Sequence, residues 1–142
     1  FDLKEFLPYK NLPEEHMLAF YRVENMTYTL SRNILSWVNY TFNKLFIGLN
    51  LRDVNWVKVY KTRALQQLDL EVQSSLVESE ICSKLIYLGH TPIQKESKYL
   101  PRMHGESKGA SFNIVKQAFL DMLKLIIVFR KFVRQQRKQN SK

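Results

Sequence analysis

The sequence predicts an all-α protein with three long helices and one or two short ones between the second and third. Three observations predict it. Apolar residues recur at three- and four-residue steps over long stretches, the period of a helix with one buried side. Stop and start signals lie far apart, around Gly48–Asp53 and again from Gly89 to Ser111. Four glycines and four prolines in 142 residues leave little material for the turns of an all-β chain.

Each element has its own justification. Residues 1–12 form an irregular lead. Pro13, Glu14 and Glu15 read as a helix start, with proline in the first turn and acids at the positive end of the dipole. Phe20, Val23, Leu30, Ile34, Val38 and Leu45 carry that helix to residue 49, where Gly48 and Asn50 stop it. Asp53 is placed to cap a second long helix, 53–88, with Val57, Tyr60, Ala64, Leu68, Val72, Cys82 and Ile86 on its inner face. Gly89 follows where a left-handed cap residue belongs. The region 89–109 is the least regular, and Pro101 starts or breaks a short helix there. Ser111 caps a last helix, 112–136. Two long antiparallel helices joined at 48–52 form the frame, and the last packs across them.

Length fits a single helical domain, 1–142, ending in a basic tail at 137–142. Hydrophobic residues at 45% argue against disorder. A net charge of +9 calls for an anionic partner: lipid headgroups, acidic glycan or nucleic acid. Cys82 is the only cysteine, which excludes an internal disulfide and suits a small buried apolar residue. Sequons at Asn25 and Asn39 fall on the sides of their helix away from its apolar stripe. No leader peptide is visible, so a secreted protein would be present in its mature form. No apolar window is long enough to span a bilayer.

The most informative stretch is 119–133, FLDMLKLIIVFRKFV. At about 100° per residue, Val115, Phe119, Met122, Leu123, Ile126, Phe129 and Val133 form one stripe, expected to face the core. Leu125, Val128 and Phe132 form a second stripe on the far side, with Leu120 and Ile127 on a flank. A helix apolar nearly all round is buried all round or uses its extra face on something. Six bases and no acid follow from Arg130 to Lys142. Surplus apolar surface beside a basic cluster suits an anionic membrane surface. The expected membrane contacts are therefore Leu120, Leu125, Ile127, Val128 and Phe132. Arg130, Lys131, Arg134, Arg137 and Lys138 are expected on the headgroups. Arg52, Lys58, Lys61 and Arg63 form a secondary basic patch.

Enzyme motifs are missing. His16, His90 and His104 lie in separate elements, with no metal-ligand spacing, and no cofactor is expected. Most aromatics fall at core spacing rather than between bases, which argues against nucleic acid.

The run KLIYLGHTPI, residues 84–93, resembles the segment of abalone egg-lysins in which a long helix ends at leucine-glycine and a basic-Thr-Pro turn follows. The helices expected over 53–88 and 13–49 lie where that family has its own, so the resemblance covers most of the chain up to about Pro101. The resemblance implies an up-and-down bundle of about five helices. It also implies storage in the sperm acrosomal vesicle, extracellular release and no cofactor. The egg-lysin family of acrosomal fertilization proteins has an envelope-dissolving branch and a branch that fuses sperm and egg membranes. Here the second helix is basic only at its start, with no base from Ala64 to Ser83, and the last helix is more apolar than a lysin's. These departures favour the fusing branch.

The expected function is therefore non-enzymatic binding and perturbation of the egg's anionic lipid membrane in sperm–egg fusion, with an egg-coat or egg-surface glycoprotein as a further partner. One alternative is lysin-type dissolution of envelope glycoprotein through the Arg52–Arg63 bases. Another is a secreted helical cytokine.

Overall fold

The computed structural model describes residues 3–23, 30–74, 76–98 and 112–141. Asn25, Pro101, His104 and Ser111, the expected cap of the last helix, lie outside them. The fold is mixed α/β, which corrects the all-α bundle expected from periodicity and implied by the lysin resemblance.

Met17, Leu18, Ala19 and Phe20 account for the difference. All four are buried, one after another. On a helix, four successive residues sweep round the axis, whereas on a central strand they alternate between two covered faces. The chain takes the second solution. Strand β1 (His16–Arg22) runs between β2 (Lys58–Val59), antiparallel to it, and β3 (Thr91–Ser97), parallel to it. Pro92 lies on β3, an edge strand, where its missing N–H costs no central ladder bond.

The alternation divides the interior in two. Met17 and Ala19 enter a cluster with Leu49, Leu51, Val54, Leu76, Cys82, Leu85 and Leu125. Leu18 and Phe20 enter the other, with Leu12, Phe6, Tyr9, Trp56 and Ile93. The irregular lead thus has a packing role: its two short 3-10 turns, Leu3–Glu5 and Leu7–Tyr9, bring Phe6 and Tyr9 over the sheet.

The helix expected over 13–49 is replaced by β1 and by α1 (Leu30–Phe42), which continues as a π-turn, Asn43–Ile47. Gly48, expected as a stop signal, ends it in the left-handed region at φ 74°. The helix expected over 53–88 is broken into β2, α2 (Thr62–Gln66) and α3 (Val77–Tyr87). Asp53 does not cap a helix; its carboxylate accepts from Arg22 Nε at 2.7 Å. Gly89 follows α3 at φ 100°. The last helix, α4 (Phe112–Gln139), forms as expected and carries the basic tail on through its final turn.

Helix α3 holds α4 and the sheet together. Seven successive residues, Ser79–Leu85, are buried, although they include Glu80 and Lys84. Those two satisfy each other at 2.6 Å. The Glu80 carboxylate also accepts the backbone N–H groups of Glu71 (3.0 Å) and Val72 (2.8 Å). Lys84 Nζ donates to the Asp69 carbonyl and lies 5.3 Å from the centre of the Phe132 ring. Two buried charges thereby tie the segment 69–72 to α3 and to the inner side of α4.

Candidate membrane-contact surface

The inner side of α4 is wide. Leu125 and Val128 are buried, and Met122, Ile126 and Phe129 pack half-buried against the main cluster. Tyr87 of α3 meets Phe129 and Phe132 edge to face, with ring centres 6.3 and 5.8 Å apart. Of the five expected membrane contacts, Leu125, Val128 and Phe132 therefore face the protein. The physical reason is that both faces of α4 are apolar, and the face that meets α3 is chosen by tertiary contacts that periodicity does not record. Leu120 and Ile127 remain outside, 50% and 68% exposed. Phe119 and Leu123, expected in the core, join them at 63% and 50%.

These four residues share one arc. At about 100° per residue, Phe119, Leu120, Leu123 and Ile127 lie within roughly 100° of one another. Continuing along the helix, Arg130, Arg134, Arg137 and Lys138 fall in the same arc. All four are exposed. The outer face is thus apolar from Phe119 to Ile127 and basic from Arg130 to Lys138, each section spanning about 12 Å, with exposed Lys116 in the same arc one turn before Phe119. Lys131 lies just beyond the arc and pairs with Glu71 at 3.1 Å; Lys124 donates to the Glu71 carbonyl. Lys131, Arg134, Gln135 and Lys138 line a shallow groove of about 230 Å³. No helix among the described residues is long and apolar enough to cross a membrane.

The secondary patch is not a set of equivalent surface bases. Lys58 is turned inward: its ammonium donates to the carbonyls of Asp53 (2.7 Å) and Trp56 (3.0 Å), and burial lowers its pKa. Arg52 is exposed and lies over the Tyr21 ring at 4.6 Å. Lys61 is half-buried, and Arg63 reaches Glu14 at 4.0 Å.

Cys82 has the inert setting expected of it. Its sulfur is 3.5 Å from the Tyr60 hydroxyl, which donates to Glu78 Oε2 at 2.5 Å. Burial pushes the thiol up to about 11 from an ordinary value of 9.0. That rise lowers the thiolate fraction about a hundredfold at neutral pH. Ellman's reagent is therefore expected to react with the folded protein at least about a hundredfold more slowly than with the protein in urea.

The sequon residue Asn39 is half-buried on α1, and its side-chain oxygen accepts from Asn43 Nδ2 at 3.0 Å. It lines a polar cleft of about 400 Å³ with Tyr21, Arg22, Tyr40, Asp53 and Glu96.

Periodicity and charge locate α4 and its exposed bases, but place Phe119 and Leu123 on the wrong side. The available signal was the position of the bases: the arc holding Arg130, Arg134, Arg137 and Lys138 must face water, and it also holds Phe119, Leu120, Leu123 and Ile127. Compared with protein-family models, curated proteins and solved structures, the chain matches none.

Proposed function

We propose that the protein is a non-enzymatic membrane-surface binder that docks on anionic bilayers through the outer face of α4 and perturbs their packing. The observation that carries this is the continuity of that face, with four exposed apolar side chains running into four exposed bases along one arc. Roughly half of each apolar side chain already lies in water. Moving them into the acyl boundary contributes about 1 kcal/mol each, from the ~1.5–3 kcal/mol of full burial. Bases at headgroup level add about 1 kcal/mol each on an anionic leaflet. The sum exceeds the marginal binding given by one acyl chain, K of about 10⁴ M⁻¹. In the setting that the egg-lysin resemblance implies, the target is the egg membrane and the protein is a gamete fusogen. That narrower setting rests on the run at 84–93 and not on the architecture.

Vesicles of phosphatidylcholine with phosphatidylserine test the proposal by co-sedimentation, dye leakage and lipid mixing. Binding is expected to weaken with salt, because the headgroup contacts are screened within about 8–10 Å at physiological ionic strength. The double variant Leu123→Asp, Ile127→Asp replaces outward side chains, so it is expected to fold. Its binding is expected to fall at least about a hundredfold. Unchanged leakage and lipid mixing by that folded variant would rule out the assignment.

A further inference from the structure

Helix α1 packs Phe42 against the main cluster and turns most of its other large apolar side chains outward. Its inward side carries Asn39, Tyr40 and Asn43; Asn43 is fully buried, and its amide donates to the backbone and side-chain oxygens of Asn39. Its outward side carries Ile34, Trp37 and Val38, and the π-turn adds Leu45 and Phe46. Trp37 is 66% exposed and Leu45 72%. The wider π-turn lets Ile47 stay buried while Leu45 and Phe46 turn to solvent.

Charge indicates what covers this face. Residues 25–52 contain no acid; Lys44 is exposed on the π-turn, while Arg52 lies over Tyr21 beside the polar cleft. The only other such acid-free stretch of comparable length is 122–142, which holds most of the face already assigned to lipid. A second copy of the chain is a poor occupant. Both copies carry +9, and one helix stripe of five side chains falls well short of the roughly 1,200–2,000 Å² of a stable interface. An anionic bilayer meets both conditions, an apolar interior and negative charge at its rim. Tryptophan is also the side chain most at home at headgroup depth.

We infer that α1 with its π-turn is a second lipid-inserting element, in which Ile34, Trp37, Val38, Leu45 and Phe46 enter an anionic bilayer and Trp37 sits at the interface. This rests on the membrane-binding function proposed above. Two insertion points on one small domain hold it at a fixed tilt. They also wedge apart more lipid area than either element alone.

Tryptophan fluorescence tests it with the intact chain. Trp37 is isolated by subtracting the spectrum of Trp37→Phe, since half-buried Trp56 is already bonded to Ser97 Oγ at 2.6 Å. On phosphatidylcholine–phosphatidylserine vesicles, the Trp37 signal is expected to shift to the blue and to be quenched by lipids brominated near the headgroup. Trp37→Ser with Leu45→Ser is expected to weaken vesicle binding about tenfold without unfolding the protein. Binding by the wild type with Trp37 unquenched overturns this inference and leaves the α4 assignment standing. No binding at all overturns both. A blue shift that grows with protein concentration in the absence of lipid assigns the face to a second copy and overturns the inference as well.

Discussion

Glu80→Leu is expected to destabilise the protein by about 3–5 kcal/mol, read as a fall in the urea midpoint. The carboxylate is fully buried, bonded to Lys84 Nζ at 2.6 Å and to the backbone N–H groups of Glu71 and Val72. Leucine removes the partner of a buried ammonium and leaves two amide donors unsatisfied. Replacing one half of a buried pair is costly because the other charge stays behind. Lys84→Met is expected to cost less, since Glu80 keeps its two amide donors. The double change Glu80→Gln, Lys84→Met is expected to cost less than the sum of its parts. Glu71 also receives Lys124 and Lys131 from α4, so loosening 69–72 weakens the seat of α4. Glu80→Leu should therefore raise hydrogen exchange in α4 as well as in α3.

The second large effect separates the two faces of α4. Leu125→Ala is expected to cost about 2–5 kcal/mol, because Leu125 is fully buried in the main cluster and its removal leaves a cavity. Ile127→Ala, two residues on, is expected to stay within about 0.5 kcal/mol, because Ile127 is 68% exposed. Vesicle binding should respond in the opposite sense, falling for Ile127→Ala and holding for Leu125→Ala wherever the latter is folded. Equal stability losses at 125 and 127 would reverse the orientation of α4.

These paired expectations show what was legible in the sequence. Helix α4 was legible, with the start the sequence predicts, because its 3.6-residue pattern is long and uninterrupted by glycine or proline. Gly48 was legible as a stop and Gly89 as a left-handed cap, because glycine takes positive φ without steric cost. Strand β1 was not. Met17–Phe20 is a short unbroken apolar run, which fits a buried strand as well as part of a helix, and the more distant Val23 and Leu30 supplied a helical spacing by coincidence. Strand β3 was hidden by its own composition, since Thr91–Ser97 holds a proline, a lysine and a glutamate. Only its parallel pairing with β1, about 75 residues away, makes it a strand.

Orientation was the other illegible quantity. Ile34, Val38 and Leu45 recur at helical steps as expected, yet they face out, because Phe42 and the buried Asn43, not that stripe, meet the protein. A stripe records that one side of a helix differs from the other; it does not record which side meets the protein. The two helices with surplus apolar surface are those for which that distinction decides the proposed membrane contact.

Nitroxide labels placed one at a time at residues 120, 123, 125 and 127 test the central claim most directly. Cys82 is buried, so the native thiol does not compete for the label. With protein bound to phosphatidylcholine–phosphatidylserine vesicles, labels at 120, 123 and 127 are expected to gain contact with oxygen and lose contact with a water-soluble nickel relaxant. A label at 125 is expected to show little contact with either. Labels at 120, 123 and 127 that stay open to the nickel reagent on bound protein would contradict the account.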